Sequence, residues 1–349
     1  MNEGIDTRTV ADIGEFALID ALRDALPAAV RQSASVTDGI GDDAAIWTPQ
    51  PGNVSVITTD TLVEGVHFRL DWTDWRSLGF KSLAVNLSDI AAMGATPRLA
   101  TVSLGLRGDE HVDDLRAMYA GMGELAGAHA VAVAGGDVVR SPDRLMISVT
   151  AIGEAPATRV LRRSGAQPGD LICVSGTLGA SAAGLAILSE PERFAGLATT
   201  GLLTAAHLRP NPRIALGKML ADVGATAAMD LSDGLLGDLP KILHASGVGA
   251  TIDARRLPVA PALRALFPDR WLDLALRGGE DYELLFTIPP QAMTQLDERA
   301  TEIGATVTAI GTITDRVDAD ARIALVDLDG QARSVDSGAY DHFRVAGAR

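Results

Sequence analysis

Acidic residues recur beside glycine, serine and threonine at five places in the chain. These places are Gly39-Ile40-Gly41-Asp42-Asp43, Thr58-Thr59-Asp60-Thr61, Asn86-Leu87-Ser88-Asp89, Gly135-Gly136-Asp137 and Asp230-Leu231-Ser232-Asp233-Gly234. Glycine lets a backbone approach a ligand closely, and clustered carboxylates repel one another unless protons or cations neutralise them. Oxygen ligands of this kind suit Mg²⁺. The pattern therefore predicts one site for several metal ions that binds the phosphates of a nucleotide, centred on residues 86–89.

Each acid has a simpler reading that must be weighed against metal binding. An Asp beside Gly is most often a turn residue or a helix N-cap, and Asp233 could cap a helix that starts at Gly234. Asp89 differs, because it falls late in a predicted helix with apolar neighbours on both sides, where an unpaired acid is costly. Asn86 lies three residues earlier, on the same helix face, and adds a neutral oxygen or a hydrogen-bond donor.

Other candidate residues keep two readings each. The chain has no Gly-x-x-x-x-Gly-Lys-Ser/Thr motif, and the turn at Gly176-Thr177-Leu178-Gly179 is either an anion site at a helix N-terminus or a simple turn. Arg163 either pairs with a phosphate or lies on the surface of a linker, and His67 is either structural or faces an acceptor substrate. No Ser-His-Asp order or Cys-His pairing stands out, which favours direct, metal-assisted transfer over a protein nucleophile.

Helices and strands that would position these motifs alternate along the chain, as in α/β proteins. Predicted helices cover 10–26, 75–93, 109–128, 180–188, 213–223, 234–246, 260–276 and 290–303. Predicted strands cover 44–47, 54–59, 99–106, 130–134, 145–153, 170–175, 227–230, 251–253, 282–288 and 305–313. Asp60 is expected at the end of one strand, and Gly135 to Asp137 directly after another. A shift in composition over 154–169 indicates a linker, so we expect domains at 1–154 and 155–349.

Overall composition narrows the class of protein. The chain has 349 residues, more than one core usually supports, and a net charge of −15 that argues against a nucleic-acid partner. Its one cysteine, Cys173, lies in an apolar run, so we expect a buried strand residue and no intrachain disulfide. The acidic N-terminus does not resemble a secretory signal, and no apolar run is long enough to span a bilayer. We therefore expect a cytoplasmic protein without membrane partners.

The motifs above resemble those of thiamine-monophosphate kinases, a family in the aminoimidazole-ribonucleotide-synthetase-like ATP-binding superfamily. The resemblance spans nearly the whole chain. It rests on 39–43, Thr58-Thr59-Asp60-Thr61-Leu62-Val63 with His67-Phe68, the helix motif at 81–95, Gly135-Gly136-Asp137, the segment 163–170, the segment 230–235, and Gly278-Gly279-Glu280-Asp281-Tyr282-Glu283-Leu284. The helix motif and the Gly-Gly-Glu-Asp-Tyr-Glu motif look specific to this family, whereas Gly-Gly-Asp alone would indicate only the superfamily.

This resemblance implies a fold and an activity. The implied fold is the two-domain, mixed α+β and α/β, PurM-like fold, with an N-terminal domain that binds ATP and Mg²⁺ and pairs its sheets in a homodimer, and a C-terminal α/β domain. The implied reaction is in-line phosphoryl transfer from ATP to thiamine monophosphate, giving thiamine diphosphate with the help of several Mg²⁺ ions. Such a reaction joins two anions, because the acceptor is a phosphate monoester with about two negative charges, and cations must neutralise both.

Site residues carried over from the family fall into three groups. The metal ligands would be Asp43, Thr58, Thr59, Asp60, Asp89, Asp137, Asp230 and Asp233. The ATP contacts would be Tyr119, Gly136, Arg163 and Ser232, and the contacts to thiamine monophosphate would be His67, Glu280 and Tyr340. Tyr340 takes the place of an aromatic residue, commonly Trp, that family members carry near the C-terminus.

Two alternatives to the kinase stay open from the sequence. One is another ATP-dependent synthetase of the same superfamily, such as one that makes aminoimidazole ribonucleotide or selenophosphate, although the chain lacks the N-terminal cysteine usual in the latter. The other is a non-catalytic protein that binds nucleotide or metal. ADP formation that depends on thiamine monophosphate would separate the kinase from the binding protein.

Overall fold

The computed structural model describes residues 8–31, 36–40, 44–197, 199–315 and 323–335. The chain divides into two compact units, one made of Met1–Ile90 and Ala95–Thr158, the other of Ala91–Gly94 and Arg159–Arg349. The separate roles predicted for two domains at 1–154 and 155–349 stay predictions. Two predicted site residues, Asp43 and Tyr340, lie outside the described residues.

The first unit is built on a four-stranded sheet in the order β3-β6-β4-β5, in which only β4 and β5 are parallel neighbours. Strands β1 and β2 pair separately with each other. The described elements up to residue 158 are α1 (Val10–Ala25), α2 (Ala28–Arg31), β1 (Val36–Asp38), β2 (Ile46–Trp47), β3 (Asn53–Val63), α3 (Trp75–Ala92), β4 (Thr96–Leu106), α4 (Val112–Ala128), β5 (Ala132–Arg140) and β6 (Met146–Pro156).

Helices α3 and α4 meet at two reciprocal glycine contacts. A Cβ on Gly79 of α3 would overlap the carbonyl oxygen of Met118 in α4, and a Cβ on Gly121 of α4 would overlap the carbonyl oxygen of Arg76 in α3. The backbones therefore touch directly where the helices cross. Because α3 carries Asn86 and Asp89, this contact helps to fix the helix that presents both side chains.

Two strands are longer than the sequence predicted. In both, predicted site residues lie inside the strand and not at its end. The prediction that Asp60 ends its strand was wrong, because β6 pairs with β3 as far as Val63. The prediction that Gly135 to Asp137 follow a strand was also wrong, because they lie inside β5 and pair with β4 beyond a bulge. Glycine suits this position, since a Cβ on Gly136 would overlap the carbonyl oxygen of Val102.

The second unit contains a seven-stranded sheet in the order β13-β12-β9-β11-β7-β10-β8, antiparallel except between β12 and β9. Its described strands are β7 (Leu171–Ser175), β8 (Ala227–Asp230), β9 (Gly249–Asp253), β10 (Leu284–Ile288), β11 (Val307–Thr314), β12 (Ile323–Val326) and β13 (Ala332–Ser334). Its described helices are α5 (Ala180–Ser189), α6 (Thr200–Leu208), α7 (Ile214–Val223), α8 (Leu235–Ser246), α9 (Pro261–Leu266), α10 (Trp271–Arg277) and α11 (Met293–Glu302).

The core of the second unit lies between its sheet and helix α8. Residues of β8 and β10 are buried throughout, and Leu236, Leu239 and Leu243 of α8 belong to the same apolar cluster as the strands. Cys173 is fully buried in β7, as predicted, and burial raises the pKa of its thiol to about 12. In the part of the chain that the structure describes, no helix is both long and apolar enough to cross a membrane.

Candidate active site

Strand β3 and helix α3 bring three of the predicted metal ligands together. Side chains two apart on a strand share a face, so Thr58 and Asp60 point the same way. The Thr58 hydroxyl donates a hydrogen bond to Asp89 Oδ2 in α3, and the Asp60 backbone N–H donates to Asn86 Oδ1 at 3.1 Å. Asn86 is fully buried and its Nδ2 donates to the Ser82 carbonyl at 3.1 Å. The amide of Asn86 therefore links the helix to the strand that bears Asp60.

Asp60 and Asp89 influence each other electrostatically. Burial raises the pKa of Asp60 to about 6, and the negative charge of Asp89 adds to the rise. Two partly buried carboxylates beside a hydroxyl form a set of hard oxygen donors that fits Mg²⁺. Among the described residues, no group of three or more His, Cys, Asp or Glu side chains is arranged to hold a metal ion, so Asp60 and Asp89 stand as a pair of carboxylates.

Other predicted ligands of the first unit lie elsewhere on its sheet. Thr59 points to the opposite face of β3, where Thr150 Oγ1 donates to its hydroxyl at 3.1 Å and its hydroxyl donates to the Val149 carbonyl at 3.2 Å. Asp137 and Gly136 lie in β5, three strand positions from β3, which corresponds to about 14 Å between strand axes. One copy of the sheet therefore does not bring Asp137 next to Asp60.

Two further residues of the first unit have defined surroundings. His67 lies in the turn after β3, where its Nδ1 accepts the backbone N–H of Val63 at 3.0 Å. Because Nδ1 of His67 accepts this hydrogen bond, a neutral imidazole carries its proton on Nε2. Tyr119 is 6% exposed in α4, and burial raises the pKa of its phenol above the ordinary value. Their predicted contacts, to thiamine monophosphate and to ATP, stay predictions.

In the second unit, an unpredicted carboxylate organises the loop after β8. Asp238, fully buried in α8, accepts the backbone N–H groups of Ser232 and Asp233, both at 2.9 Å. Lys241 Nζ bridges Asp233 Oδ2 at 2.7 Å and Asp238 Oδ1 at 2.8 Å. Asp233 does not cap α8, whose N-cap residue is Gly234 and makes no side-chain cap. The predicted ligand Asp233 thus already has a cation at one oxygen.

The structure joins two motifs that are about 50 residues apart in the sequence. The Glu280 N–H donates to the Ser232 carbonyl at 2.8 Å, and the Tyr282 N–H donates to the Leu231 carbonyl at 2.9 Å. Asp230, the last residue of β8, is 5% exposed and pairs with Leu284 at the start of β10. Predicted ATP, metal and substrate residues therefore share one hydrogen-bonded pair of loops.

The carboxylate of Asp281 occupies the helix N-terminus that follows Gly176 to Gly179. This carboxylate accepts the N–H groups of Gly179, at 2.6 Å, and of Ser181, at 3.1 Å, at the start of α5. Burial raises the pKa of Asp281 to about 7, although these hydrogen bonds oppose the shift. The structure favours the simple turn over an anion site here, because a carboxylate of the chain itself accepts the N–H groups at this helix N-terminus.

Glu283, two residues after Asp281, binds Arg213 and Ser175. Arg213 meets its carboxylate through both Nε, at 2.7 Å, and Nη2, and Ser175 donates to Oε2 at 2.5 Å. Arg163 is exposed, and its carbonyl accepts the Ser246 hydroxyl at 3.2 Å. The predicted contact between Arg163 and ATP is compatible with that exposure and stays a prediction.

One neighbour of Glu280 gave no signal in the sequence. His207 of α6 is 3% exposed, and its Nδ1 lies 3.3 Å from Glu280 Oε2 and 3.0 Å from Ser181 Oγ. The three residues come from separate elements, so only the fold brings them together. Asp238 and Lys241 were not predicted from the sequence, because charged residues on a helix are usually exposed.

Comparison with known proteins identifies both units. Residues 41–155 match the family model of AIR synthase related protein, N-terminal domain, and residues 167–323 match that of the C-terminal domain. A thiamine-monophosphate kinase from Escherichia coli O157:H7 is 42% identical over 334 residues, covering 95% of this chain and 98% of that protein.

Solved structures agree with the sequence comparison. Thiamine-monophosphate kinase from Stenotrophomonas maltophilia K279a superposes with a TM-score of 0.80 at 41% identity, over 92% of this chain and 98% of that one. AaThiL complexed with AMPPCP and TMP has a TM-score of 0.74 at 33% identity, over 95% and 97%. These matches confirm the predicted two-domain, PurM-like fold. The chain belongs to the thiamine-monophosphate kinase family of AIR-synthase-related proteins.

Proposed function

We propose that this protein transfers the γ-phosphoryl group of ATP to thiamine monophosphate, forming thiamine diphosphate and ADP. The observation that carries the proposal is the likeness, over 95% of this chain, to a solved relative that holds AMPPCP and TMP. A kinase of this kind acts mainly by positioning its reactants and neutralising their charge. The described side chains suit that task, since carboxylates and hydroxyls line β3 and α3.

Mg²⁺ ions, when bound, would neutralise the phosphates of both reactants. We assign Asp60, Asp89 and the Thr58 hydroxyl to hold them, because these are adjacent oxygen donors in the described structure. Asn86 would keep Asp60 in place through its backbone N–H. Thr59, Asp137 and Asp230, together with Asp43, are proposed as further ligands, and Asp233 would first have to share its carboxylate with Lys241.

The remaining site residues would orient the two reactants. For ATP we propose Tyr119, Gly136, Arg163 and Ser232, and for thiamine monophosphate His67, Glu280 and Tyr340. In this arrangement the loop pair that holds Ser232 and Glu280 would couple nucleotide and acceptor binding, because one backbone hydrogen bond joins the two residues. The assignment rests on the family motifs, and the hydrogen-bonded loops support it.

We also propose the homodimer expected from the family. Strands β3 and β5 are the two terminal strands of the first unit's sheet, and Ile57 of β3 and Val139 of β5 are 65% and 54% exposed. Pairing with a second copy would cover these side chains and could supply Asp137 from the other chain. Size measurement by light scattering tests this directly, and a monomer at working concentration would contradict it. The cytoplasmic location stays a prediction.

A coupled ADP-release assay tests the proposed reaction. The enzyme would be given ATP with thiamine monophosphate, thiamine, aminoimidazole-ribonucleotide precursors or inorganic phosphate, each with and without Mg²⁺. We expect ADP only with thiamine monophosphate and Mg²⁺, and thiamine diphosphate as the second product. ADP release independent of acceptor, or with another acceptor alone, would refute the assignment, while nucleotide binding without ADP would indicate the non-catalytic alternative.

A further inference from the structure

The backbone around Glu280 is held in an unusual conformation. Among the described residues, the non-glycine residues with positive φ are Ala130, Glu280 and Tyr282, at 53°, 64° and 50°. Two of the three therefore lie within one short motif. Such conformations cost free energy and persist only where surrounding contacts impose them.

Contacts on both sides impose this conformation. Backbone hydrogen bonds tie Glu280 to Ser232 and Tyr282 to Leu231. Between them, the Asp281 carboxylate is tied to the first turn of α5. The main chain of Glu280 is thus fixed, while its side chain remains 25% exposed. Only a side-chain contact can select which way its carboxylate points.

His207 supplies that contact. Nδ1 of His207 lies 3.3 Å from Glu280 Oε2, and a carboxylate oxygen can only accept, so a proton on Nδ1 makes this contact favourable. Ser181 Oγ, 3.0 Å from the same nitrogen, can then accept from it as well. The opposite arrangement, with the Ser181 hydroxyl donating to Nδ1, would point a nitrogen lone pair at the Glu280 carboxylate. The proton on Nδ1 is therefore assigned by its partners.

We propose that His207 is a positioning residue that fixes the Glu280 carboxylate to receive the cationic organic part of thiamine monophosphate. The inference rests on the proposed function, since it is that substrate which carries a positive thiazolium ring. A carboxylate that is already held in one orientation binds a cation without losing side-chain freedom on binding. His207 itself is buried in α6 and acts on the substrate only through Glu280.

Substitutions at position 207 separate positioning from packing. In His207→Asn, the side-chain amide can donate from near the place of Nδ1, whereas in His207→Gln the donor moves towards the place of Nε2. We expect His207→Gln to raise KM for thiamine monophosphate about 10- to 100-fold, the loss typical of a hydrogen bond to a charged group. KM for ATP and kcat should stay within about threefold, and His207→Asn should stay close to the parent.

Ser181→Ala is the matched control, because it removes the hydroxyl that lies 3.0 Å from Nδ1 and does not change Glu280. It should change KM for thiamine monophosphate by less than about twofold. Equal KM values for parent, His207→Gln and His207→Asn would overturn the proposal, as would a KM in Ser181→Ala raised as much as in His207→Gln. In a Glu280→Gln background, the His207→Gln effect should disappear, and full additivity of the two changes would also overturn it.

The same experiment distinguishes failure of the inference from failure of the proposed function. If the parent enzyme does not phosphorylate thiamine monophosphate, the proposed function is wrong, and this role of His207 is wrong with it. If the parent is active and only the pattern among the variants at 207 fails, the positioning role alone is rejected. Thermal melting of each variant identifies any that do not fold. If His207→Gln does not fold, His207→Ala takes its place, since it also removes the Nδ1 donor, and it should raise KM for thiamine monophosphate in the same way.

Discussion

Asp60→Asn should stabilise the metal-free protein at neutral pH while it impairs the enzyme. The carboxyl of Asp60 has its pKa raised from 3.8 to about 6, first by burial and then by the charge of Asp89. At pH 8 the ionised carboxylate of Asp60 therefore lowers the free energy of unfolding. Asparagine keeps a similar shape without the charge, and the backbone N–H of residue 60 can still donate to Asn86.

The size of the effect follows from the two pKa values. Because the folded-state pKa lies above the unfolded value, the folded protein binds an extra proton between about pH 4 and pH 6. Its free energy of unfolding therefore falls as pH rises through this range and stays low above it. The full difference is about 3 kcal/mol at about 1.4 kcal/mol per pH unit, and about half of it returns at pH 5.

Thermal melting in EDTA at pH 5 and pH 8 measures this difference. We expect Asp60→Asn to raise Tm at pH 8 by roughly 6–12 °C if the first unit melts as a domain of its size, and by about half as much at pH 5. Asp137→Asn is the matched control, since Asp137 is exposed in the same sheet, and should shift Tm little at either pH. A lower Tm for Asp60→Asn at pH 8, or an equal gain at both pH values, would refute the reasoning.

Three further substitutions probe other parts of the site. Asp89→Asn should reduce kcat at least about 100-fold without unfolding the protein, as circular dichroism and the ADP assay would show, and near-normal turnover would remove Asp89 from the metal site. Arg213→Met should lower the free energy of unfolding by about 3–5 kcal/mol, because it leaves the buried Glu283 carboxylate without this cation. Urea titration measures the loss, and a value below about 1 kcal/mol would contradict that role. Gly136→Ala should lower the free energy of unfolding by about 1–3 kcal/mol, since its Cβ would overlap the neighbouring strand. Gly201→Ala, with open space around it in α6, should be neutral or stabilising. Equal effects of the two substitutions would show that backbone overlap does not matter.

Local signals in the sequence predicted much of the fold. The helix predicted at 75–93 is α3, because its apolar spacing and the glycine at its end are both local features. Gly94 has φ of 67°, as a helix-ending glycine often does. Strand limits were less predictable: Thr61, Leu62 and Val63 suit a strand or a loop, and only pairing with β6 makes them part of β3.

The site was predictable only where one segment carries it. Asp60 and Asp89 were predicted as ligands because each lies in a recognisable motif, and hydrogen bonds from Thr58 to Asp89 and from the Asp60 backbone to Asn86 link strand β3 to helix α3. Asp238 and His207 were missed, because their importance depends on partners that the fold brings to them. At Gly176 to Gly179 the sequence left an anion site and a simple turn open, because the carboxylate that occupies this helix N-terminus lies 102 residues after Gly179.

The crossing of α3 and α4 makes the first unit sensitive to substitution of the two glycines at the crossing. Since Gly79 and Gly121 each lie against the other helix's main chain, a side chain at either one would act as a spacer. Such a spacer would lift α3 away and carry the carboxylate of Asp89 off the hydroxyl of Thr58. A methyl group buried between two helices could thus silence the enzyme without altering any group that meets substrate, and a change at one glycine could not be offset by the other.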